Sequence, residues 1–153
     1  MELNNKKILI LGFGREGRDT FDFLKQNFSL KKIGVADQSK DIELKEDVSL
    51  HLGEKYLESI RDYELIIKSP GISMSKVTPY LDSNSIITSQ TDIFFQKAKG
   101  LIIGITGTKG KSTTSSLIFK ILSGKREVVL LGNIGEPTLK YLSSDTPERI
   151  YVY

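Results

Sequence analysis

Two stretches of this chain share one pattern: a run of branched apolar residues, then a glycine-rich turn, then apolar residues at helical spacing. The first turn, GFGREG, covers Gly12–Gly17, and the second, GITGTKGKST, covers Gly104–Thr113. A strand that turns through glycine into a helix is typical of α/β folds, because parallel neighbouring strands need a crossover helix between them. The pattern therefore predicts an α/β chain with helices covering a mostly parallel sheet.

Helical spacing predicts three helices, and runs of branched residues predict seven strands. We expect the second helix to bury Phe94 and Phe95, and the third to bury one apolar side. That side comprises Leu117, Ile118, Ile121 and Leu122. The helices cover Glu16–Asn27, Thr91–Lys97 and Ser112–Leu122. The strands cover Lys7–Leu11, Lys32–Ala36, Leu65–Lys68, Ile86–Thr88, Leu101–Thr106, Glu127–Leu131 and Arg149–Val152.

Composition excludes several kinds of site. The chain has no cysteine, so disulfides, thiolate metal sites and cysteine nucleophiles are ruled out. It has one histidine, His51, which argues against a histidine metal cage or a Ser-His-Asp triad; a structural place in a loop or at a strand end is expected for it. The net charge of +3, from 22 Lys and Arg against 19 Asp and Glu, is too small to indicate nucleic-acid binding. No apolar run is long enough to cross a membrane and no secretory signal is evident, so we expect a cytoplasmic protein.

The first turn fits G-x-G-x-x-G in the strand–turn–helix context that this motif requires. Its glycines permit a tight turn, close approach of a diphosphate and close helix–strand packing, and the helix start favours an anion. Asp37 ends the next strand, 25 residues after Gly12, where a carboxylate can accept hydrogen bonds from a ribose or a base. The motif predicts a diphosphate-containing nucleotide without specifying NAD, and the alternative is a glycine turn that binds nothing. The later turn Ser69-Pro70-Gly71 is expected at the same sheet edge, and alone it indicates only a turn.

The second turn predicts a nucleoside triphosphate site. Backbone N–H groups of such a loop wrap phosphates, Lys111 can reach the terminal phosphates, and the Ser112 hydroxyl can bind Mg²⁺. The loop departs from strict G-x-x-x-x-G-K-[ST], since Ile105 stands where the first glycine is expected. A dehydrogenase needs only the first turn, and an ordinary P-loop NTPase needs only the second.

The basic cluster Lys97–Lys99 followed by Gly100 predicts a domain boundary, with one domain over 1–99 and another over 100–153. The second stretch is short for an independent core. Because the sequence stops on an apolar run, Ile150–Tyr153, that is typical of a buried strand, we expect a truncated chain.

Four segments together resemble the Mur ligases, ATP-dependent amide-forming enzymes of peptidoglycan precursor synthesis. They are GFGREG, the SPGI turn at Ser69–Ile72, ITGTKGKST at Ile105–Thr113 and LGNIG at Leu131–Gly135, in the family's order. The pairing of SPGI with GNIG resembles the D-glutamate-adding member rather than the L-alanine-adding one. The resemblance implies a Rossmann-like domain followed by the start of the family's central P-loop domain.

The resemblance also implies site residues and substrates. The substrates are UDP-N-acetylmuramoyl-L-alanine and D-glutamate, the cofactors are ATP and Mg²⁺, and the protein is a monomer. UDP-substrate contacts fall on Gly14, Arg15, Glu16, Gly17, Asp37, Gln38, Ser69, Pro70, Gly71 and Asn133. ATP contacts fall on Thr108, Lys109, Gly110, Lys111, Ser112 and Thr113, with Lys111 catalytic and Ser112 on Mg²⁺.

Two departures from the family qualify this interpretation. Lys109 stands where the family usually has Asn, which adds a charge near the phosphates. The sequence also stops before the family's Mg²⁺-binding glutamate, its downstream histidine and modified lysine, and its C-terminal domain, so we expect this chain alone to be inactive. The alternatives are an NAD(P)-dependent dehydrogenase, and a non-catalytic module that binds a UDP-sugar.

Overall fold

The computed structural model describes residues 2–44, 48–132 and 136–153. These residues form two compact units, a first unit over Met1–Ile93 and a second unit over Phe94–Tyr153. Each unit is a parallel sheet with helices, so the predicted α/β class is confirmed. No helix among the described residues is long and apolar enough to cross a membrane.

The first unit contains a five-stranded parallel sheet in the order β3-β2-β1-β4-β5, which confirms the Rossmann-like prediction. The chain builds outward from β1 through β2 to β3, then returns to the other side of β1 for β4 and β5. The order therefore reverses between β1 and β4, the place where open α/β sheets bind ligands at the carboxyl ends of their strands. The strands are β1 (Lys7–Leu11), β2 (Lys32–Asp37), β3 (Ser49–Leu52), β4 (Leu65–Lys68) and β5 (Ile86–Thr88).

The helices of this unit cover the sheet. Helix α1 (Arg15–Asn27) buries Phe21 and Leu24, one turn apart on its inner face. Ile8–Leu11 of β1 are at most 1% exposed, as expected for a central parallel strand with neighbours on both sides. The remaining helices are α2 (Met74–Val77), α3 (Gln90–Lys97), and 3₁₀ helices over Tyr56–Asp62 and Thr78–Tyr80.

Strand β3 was absent from the predicted elements, and it places His51 inside an edge strand rather than in a loop or at a strand end. The His51 Nε2 lies 3.0 Å from the Tyr63 hydroxyl, with the two rings edge to face. Gly34 of β2 allows this arrangement, because a Cβ there would lie 2.1 Å from the Tyr63 hydroxyl oxygen. The structure thus gives His51 the role of a half-buried packing partner of Tyr63.

The second unit contains a three-stranded parallel sheet in the order β6-β8-β7. Its elements are β6 (Leu101–Ile103), α4 (Lys111–Ser123), β7 (Val128–Leu130), a 3₁₀ helix over Leu139–Ser144 and β8 (Ile150–Val152). The central strand buries Tyr151 and Val152, and the Tyr151 ring packs edge to face on Phe94 at 4.9 Å. The Arg149 guanidinium, 8% exposed, joins this strand to Glu127 beside β7.

Two predictions about buried faces are wrong. Phe95 is 46% exposed while Phe94 is fully buried, because neighbouring residues on a helix point about 100° apart. On α4, Leu117 and Ile121 are 57% and 62% exposed, and only Ile118 and Leu122 of the predicted apolar side are half-buried. A three-stranded sheet offers α4 a narrow surface, so one half of its apolar side stays in solvent.

Candidate functional site

The first glycine turn is shaped by close backbone packing. Gly12 has φ of +94°, and a Cβ on Gly17 would lie 2.2 Å from the Gly12 carbonyl oxygen. Both glycines are therefore required by the protein itself. Gly14 is different, because a Cβ there would meet no protein atom within 4 Å. It lies exposed at the start of α1, where unsatisfied N–H groups and the helix dipole favour an anion.

Asp37 fixes the turn from the side of β2. Its Oδ2 accepts a 2.6 Å hydrogen bond from the Phe13 N–H, and its Oδ1 accepts one of 2.8 Å from the Ser39 N–H. Hydrogen bonds from backbone N–H groups to a carboxylate are among the stronger ones in proteins. The main contacts of this carboxylate are thus with the backbone of the fold rather than with open space beyond the sheet.

Ser69 and Lys68 fix the turn from the side of β4. The Ser69 hydroxyl donates to the Gly12 carbonyl at 3.1 Å, and the Ser69 N–H donates to the Leu11 carbonyl at 2.8 Å. The Lys68 ammonium donates to the carbonyls of Ser69 and Ile72 at 2.9 and 2.8 Å, which closes the SPGI turn. The two glycine-containing turns are therefore hydrogen-bonded to each other across the ends of β1 and β4.

A narrow crevice lies between β1 and β4, at the point where the strand order reverses. The buried Gln90 side chain reaches into it from the start of α3 and donates to the Glu16 carbonyl and to Asp19 Oδ2, both at 2.9 Å. Burial raises the pKa of Glu16, the Asp19 charge adds to that rise, and the Arg15 charge opposes it. The crevice is lined by Ile10, Glu16, Gly17, Thr20, Ile67, Lys68, Ser69 and Gln90.

Three of the predicted UDP-substrate residues, Glu16, Gly17 and Ser69, meet in this crevice. Gly14 and Arg15 lie exposed on the turn beside it, and Gln38, Pro70 and Gly71 are exposed on loops of the same sheet edge. Sequence reasoning missed Lys68, Gln90 and Thr20 in the crevice lining. A polar residue at or just after the end of a strand was the available signal for the first two.

The second glycine turn is exposed except at Ile105, which is half-buried. Gly107 and Gly110 have φ of +152° and +79°, and Gly110 caps α4 by accepting a 2.9 Å hydrogen bond from the Thr114 N–H. The Lys111 ammonium folds back and donates to the Gly107 carbonyl. The Lys111 side chain and the loop are thus in contact at the start of α4.

Two of the predicted ATP residues, Lys111 and Ser112, line a cleft of the second unit. Thr108, Lys109, Gly110 and Thr113 lie exposed around them on the loop and the first turn of α4. Asn133, predicted to contact the UDP-substrate, falls outside the described residues. Among the described residues there is no group of three or more His, Asp or Glu that could hold a metal ion. The cleft is lined by Ile105, Lys111, Ser112, Ser115, Leu131, Gly132 and Tyr153.

A second depression of the first unit lies along β3 and the 3₁₀ helix that follows it, and His51, Tyr56 and Arg61 are among its lining residues. Burial and the Lys32 charge lower the pKa of His51, which favours the neutral ring, while the Asp62 charge opposes them. The depression is open to solvent. It gives no arrangement of groups suited to catalysis.

Comparison with known proteins agrees with this geometry. Residues 6–85 match the family described as Mur ligase MurD-like, N-terminal domain, which covers just over half of the chain. The matched segment contains all of the sheet's first four strands and both turns of the crevice.

Three similar relatives extend the match to nearly the whole chain. A UDP-N-acetylmuramoylalanine–D-glutamate ligase of Clostridioides difficile is 29% identical over 99% of this chain and 36% of its own length. The enzyme of the same name in Oenococcus oeni is 30% identical over 98% of this chain and 33% of its own. A UDP-N-acetylmuramoyl-L-alanine–L-glutamate ligase of Xanthomonas campestris is 31% identical over 95% of this chain and 34% of its own length. The chain spans about a third of the length of these relatives, and by its first unit it belongs to the MurD-like Mur ligases.

Proposed function

We propose that this chain supplies the UDP-substrate site and the ATP loop of a ligase that joins glutamate to UDP-N-acetylmuramoyl-L-alanine. Residues 1–99 would bind the UDP-substrate and residues 100–153 would bind ATP. The observation that carries the proposal is the crevice between β1 and β4. There a helix start that favours anions, a glycine with no protein neighbour and the SPGI turn lie side by side.

In the first unit, the diphosphate would lie on the N–H groups at the start of α1, next to Gly14. Because a Cβ on Gly14 meets no protein atom, packing within the protein does not explain a glycine there, whereas close approach of a phosphate does. The uridine would extend toward Asp37 and Gln38 on one side and the SPGI turn on the other. Asp37 and Ser69 would act mainly by holding the turn in its binding shape, since both are hydrogen-bonded to it.

In the second unit, the reaction would begin by transfer of the terminal phosphoryl group of ATP to the substrate carboxylate, giving an acyl phosphate. The glutamate amine would then attack the acyl carbon, phosphate would leave, and an amide would form. Lys111 would exchange its contact with the Gly107 carbonyl for phosphate oxygens and neutralise charge on them. Backbone N–H groups at Gly110–Thr113 would hold the same phosphates.

Mg²⁺ fits the second unit through one protein oxygen. Mg²⁺ in nucleotide sites takes most of its ligands from phosphate and water, with one or two from the protein. The Ser112 hydroxyl, exposed at the start of α4 and lining the cleft, is a suitable oxygen. When bound, the ion supplies charge neutralisation on the phosphates.

Relatives of this chain are named for D-glutamate and for L-glutamate, so the isomer is a separate part of the proposal. We assign D-glutamate, on the names of the relatives in Clostridioides difficile and Oenococcus oeni and on the SPGI and LGNIG segments. An assay of the full-length ligase with each isomer tests it. Faster amide formation with L-glutamate would overturn this part alone.

The rival interpretation, an NAD(P)-dependent dehydrogenase, rests on the first turn alone. Such enzymes use the acid after the second strand to accept hydrogen bonds from the ribose. Here both oxygens of Asp37 already accept hydrogen bonds from backbone N–H groups, and the second glycine turn would have no role. These two observations favour the ligase.

Calorimetric titration of the folded chain tests the proposal, with circular dichroism as the check of folding. UDP-N-acetylmuramoyl-L-alanine and ATP–Mg²⁺ should bind, and NADH should not. Gly14→Val should abolish binding of the UDP compound and leave ATP binding unchanged. Lys111→Met should weaken ATP binding and leave binding of the UDP compound unchanged. Binding of NADH without the UDP compound would overturn the ligase, and binding of the UDP compound without ATP would favour a non-catalytic module.

A further inference from the structure

We propose that Glu16 makes the first site select its ligands by charge, so that it accepts a nucleotide diphosphodiester and disfavours a nucleotide with a free terminal phosphate. The inference rests on the proposed function, which puts the diphosphate of a UDP-linked substrate at the start of α1. It adds the chemical feature that distinguishes that substrate from UDP itself, namely a diphosphate that is esterified at both ends.

The first step is the position of Glu16. It is the second residue of α1, two residues after Gly14, and its side chain lines the crevice together with Lys68, Ser69 and Gln90. Its carbonyl accepts hydrogen bonds from the Gln90 amide and, at 2.8 Å, from the Thr20 hydroxyl. The described structure gives its carboxylate no hydrogen bond, so these contacts fix the backbone of Glu16 and leave its charge beside the crevice.

The second step is the set of charges around that carboxylate. On α1 it is flanked by Arg15, which favours its charge, and by Asp19, which disfavours it. From β4 comes Lys68, whose ammonium is bonded to the carbonyls of Ser69 and Ile72. From α3 comes the neutral Gln90. Burial raises the pKa of Glu16, the Arg15 charge opposes that rise and the Asp19 charge adds to it. The ionised Glu16 carboxylate thus lies beside the start of α1, where the diphosphate would bind.

The third step is the charge of the ligand. A diphosphate esterified at both ends carries one negative charge on each phosphate. A terminal phosphate loses a second proton with a pKa near 6, so at neutral pH free UDP brings about one further negative charge. That charge would lie near the Glu16 carboxylate, and like charges at such separations repel by an amount that screening by water and salt reduces.

The test is calorimetric titration of the 153-residue chain with UDP-N-acetylmuramoyl-L-alanine and with free UDP at pH 7.5 and low salt. Glu16→Gln should tighten UDP binding about fivefold and binding of the diester about twofold or less, which is the scale of one partly screened like-charge contact. The matched control is Asp22→Asn, because Asp22 lies on the same helix, is exposed and does not line the crevice. It should change both affinities equally.

Salt and a second variant sharpen the result. In about 0.5 M salt the difference between the two ligands should shrink, since exposed charges are screened within a few ångströms there. Glu16→Ala should act in the same direction as Glu16→Gln. An equal effect of both Glu16 variants on the two ligands overturns the inference and leaves the proposed function standing. Failure of the folded wild-type chain to bind either UDP compound overturns both.

Discussion

The two glycine-rich turns of this chain have similar sequences but are held in different ways. In the first, Gly12 and Gly17 are in backbone contact, and the turn is hydrogen-bonded to Asp37 on one side and to Ser69 on the other. In the second, a Cβ added to Gly104 or Gly110 would meet no protein atom within 4 Å, and the side chain bonded to the loop is its own Lys111. One turn is built into a sheet edge, and the other stands in solvent.

Because of this difference, we expect the two turns to contribute differently to the stability of the fold and to ligand affinity. The conformation of the first turn is fixed before a ligand arrives, so little ordering free energy is lost on binding there. In the second turn, the proposed function has Lys111 exchange its contact with the Gly107 carbonyl for a phosphate. Substitutions in the first turn should therefore change the stability of the fold, and substitutions in the second should change affinity with little effect on stability.

The largest expected effect is that of Gly17→Ala. Its Cβ would lie 2.2 Å from the Gly12 carbonyl oxygen, a backbone atom that cannot rotate away. We expect a loss of about 3 kcal/mol in the free energy of unfolding, the upper range for overpacking. Urea denaturation followed by circular dichroism measures it. Gly104→Ala, which meets no neighbour, is the control in the second turn, and an equal loss there would remove the contrast.

Asp37→Ala is next, because it leaves the N–H groups of Phe13 and Ser39 without their acceptor. Losing two charge-assisted hydrogen bonds at a half-buried site should cost about 2 kcal/mol. Asp37→Asn keeps one acceptor oxygen and should recover part of that loss. The rate of hydrogen exchange at the Phe13 amide reports directly on its hydrogen bond to Asp37. Unchanged protection in Asp37→Ala would show that this hydrogen bond does not stabilise the turn.

In the second turn, Lys111→Met should leave the free energy of unfolding within about 0.5 kcal/mol of wild type, since the residue is exposed. ATP affinity should fall at least about tenfold through loss of a charge-assisted contact to phosphate. Isothermal calorimetry measures the affinity and urea denaturation the stability. Lys109→Met, an exposed lysine of the same loop, is the matched control and should lower ATP affinity less.

Ser69→Ala should have a smaller effect in the first turn. It removes a hydroxyl that donates to the Gly12 carbonyl at 3.1 Å, and a single neutral hydrogen bond is worth about 1 kcal/mol. The midpoint of urea unfolding should fall accordingly. Ser69→Thr, which keeps the hydroxyl, should recover most of it, and failure to do so would point to packing rather than hydrogen bonding.

The sequence predicted the strands and helices of the fold better than the hydrogen bonds that hold the site together. The runs at β1, β4 and β5 have the predicted ends. For β1 and β4 the reason is that a buried parallel strand is continuous and apolar, whereas β5 is an edge strand whose Ile86 is 43% exposed. Strand β3 was missed because Ser49–Leu52 is only four residues long, which gives a weak signal, and its ladder with β2 is a long-range contact. Periodicity shows that a helix has an apolar face, but how much of α4 is covered depends on the width of the sheet beneath it.

The site shows the same limit. Glycine spacing and the turn after β4 located the crevice, since both follow from local conformation. The hydrogen bonds of Gln90 to α1 span 70 to 74 residues, and the bond from Ser69 to Gly12 spans 57. Contacts at that range depend on strand order and register, which neither spacing nor composition specifies. For the same reason the hydrogen bond from the Phe13 N–H to Asp37, across 24 residues, was not predicted, and the contact of Asp37 with a ligand stays a prediction.

The smallest expected effect on stability is that of Glu16→Gln, which removes one negative charge from the first turn. Because burial raises the pKa of Glu16 in the folded chain, the ionised carboxylate disfavours folding once the pH is above that raised value. At neutral pH, Glu16→Gln should therefore stabilise the chain, by less than about 0.5 kcal/mol since half of the side chain is screened by solvent. The gain should fade as the pH falls through the raised pKa toward the ordinary glutamate pKa of 4.5, and below 4.5 the wild-type carboxyl is mostly protonated in both states. Urea denaturation between pH 4 and 7.5 measures the trend, and a gain that grows on acidification would mean that helix-dipole attraction for the carboxylate outweighs the crevice's cost.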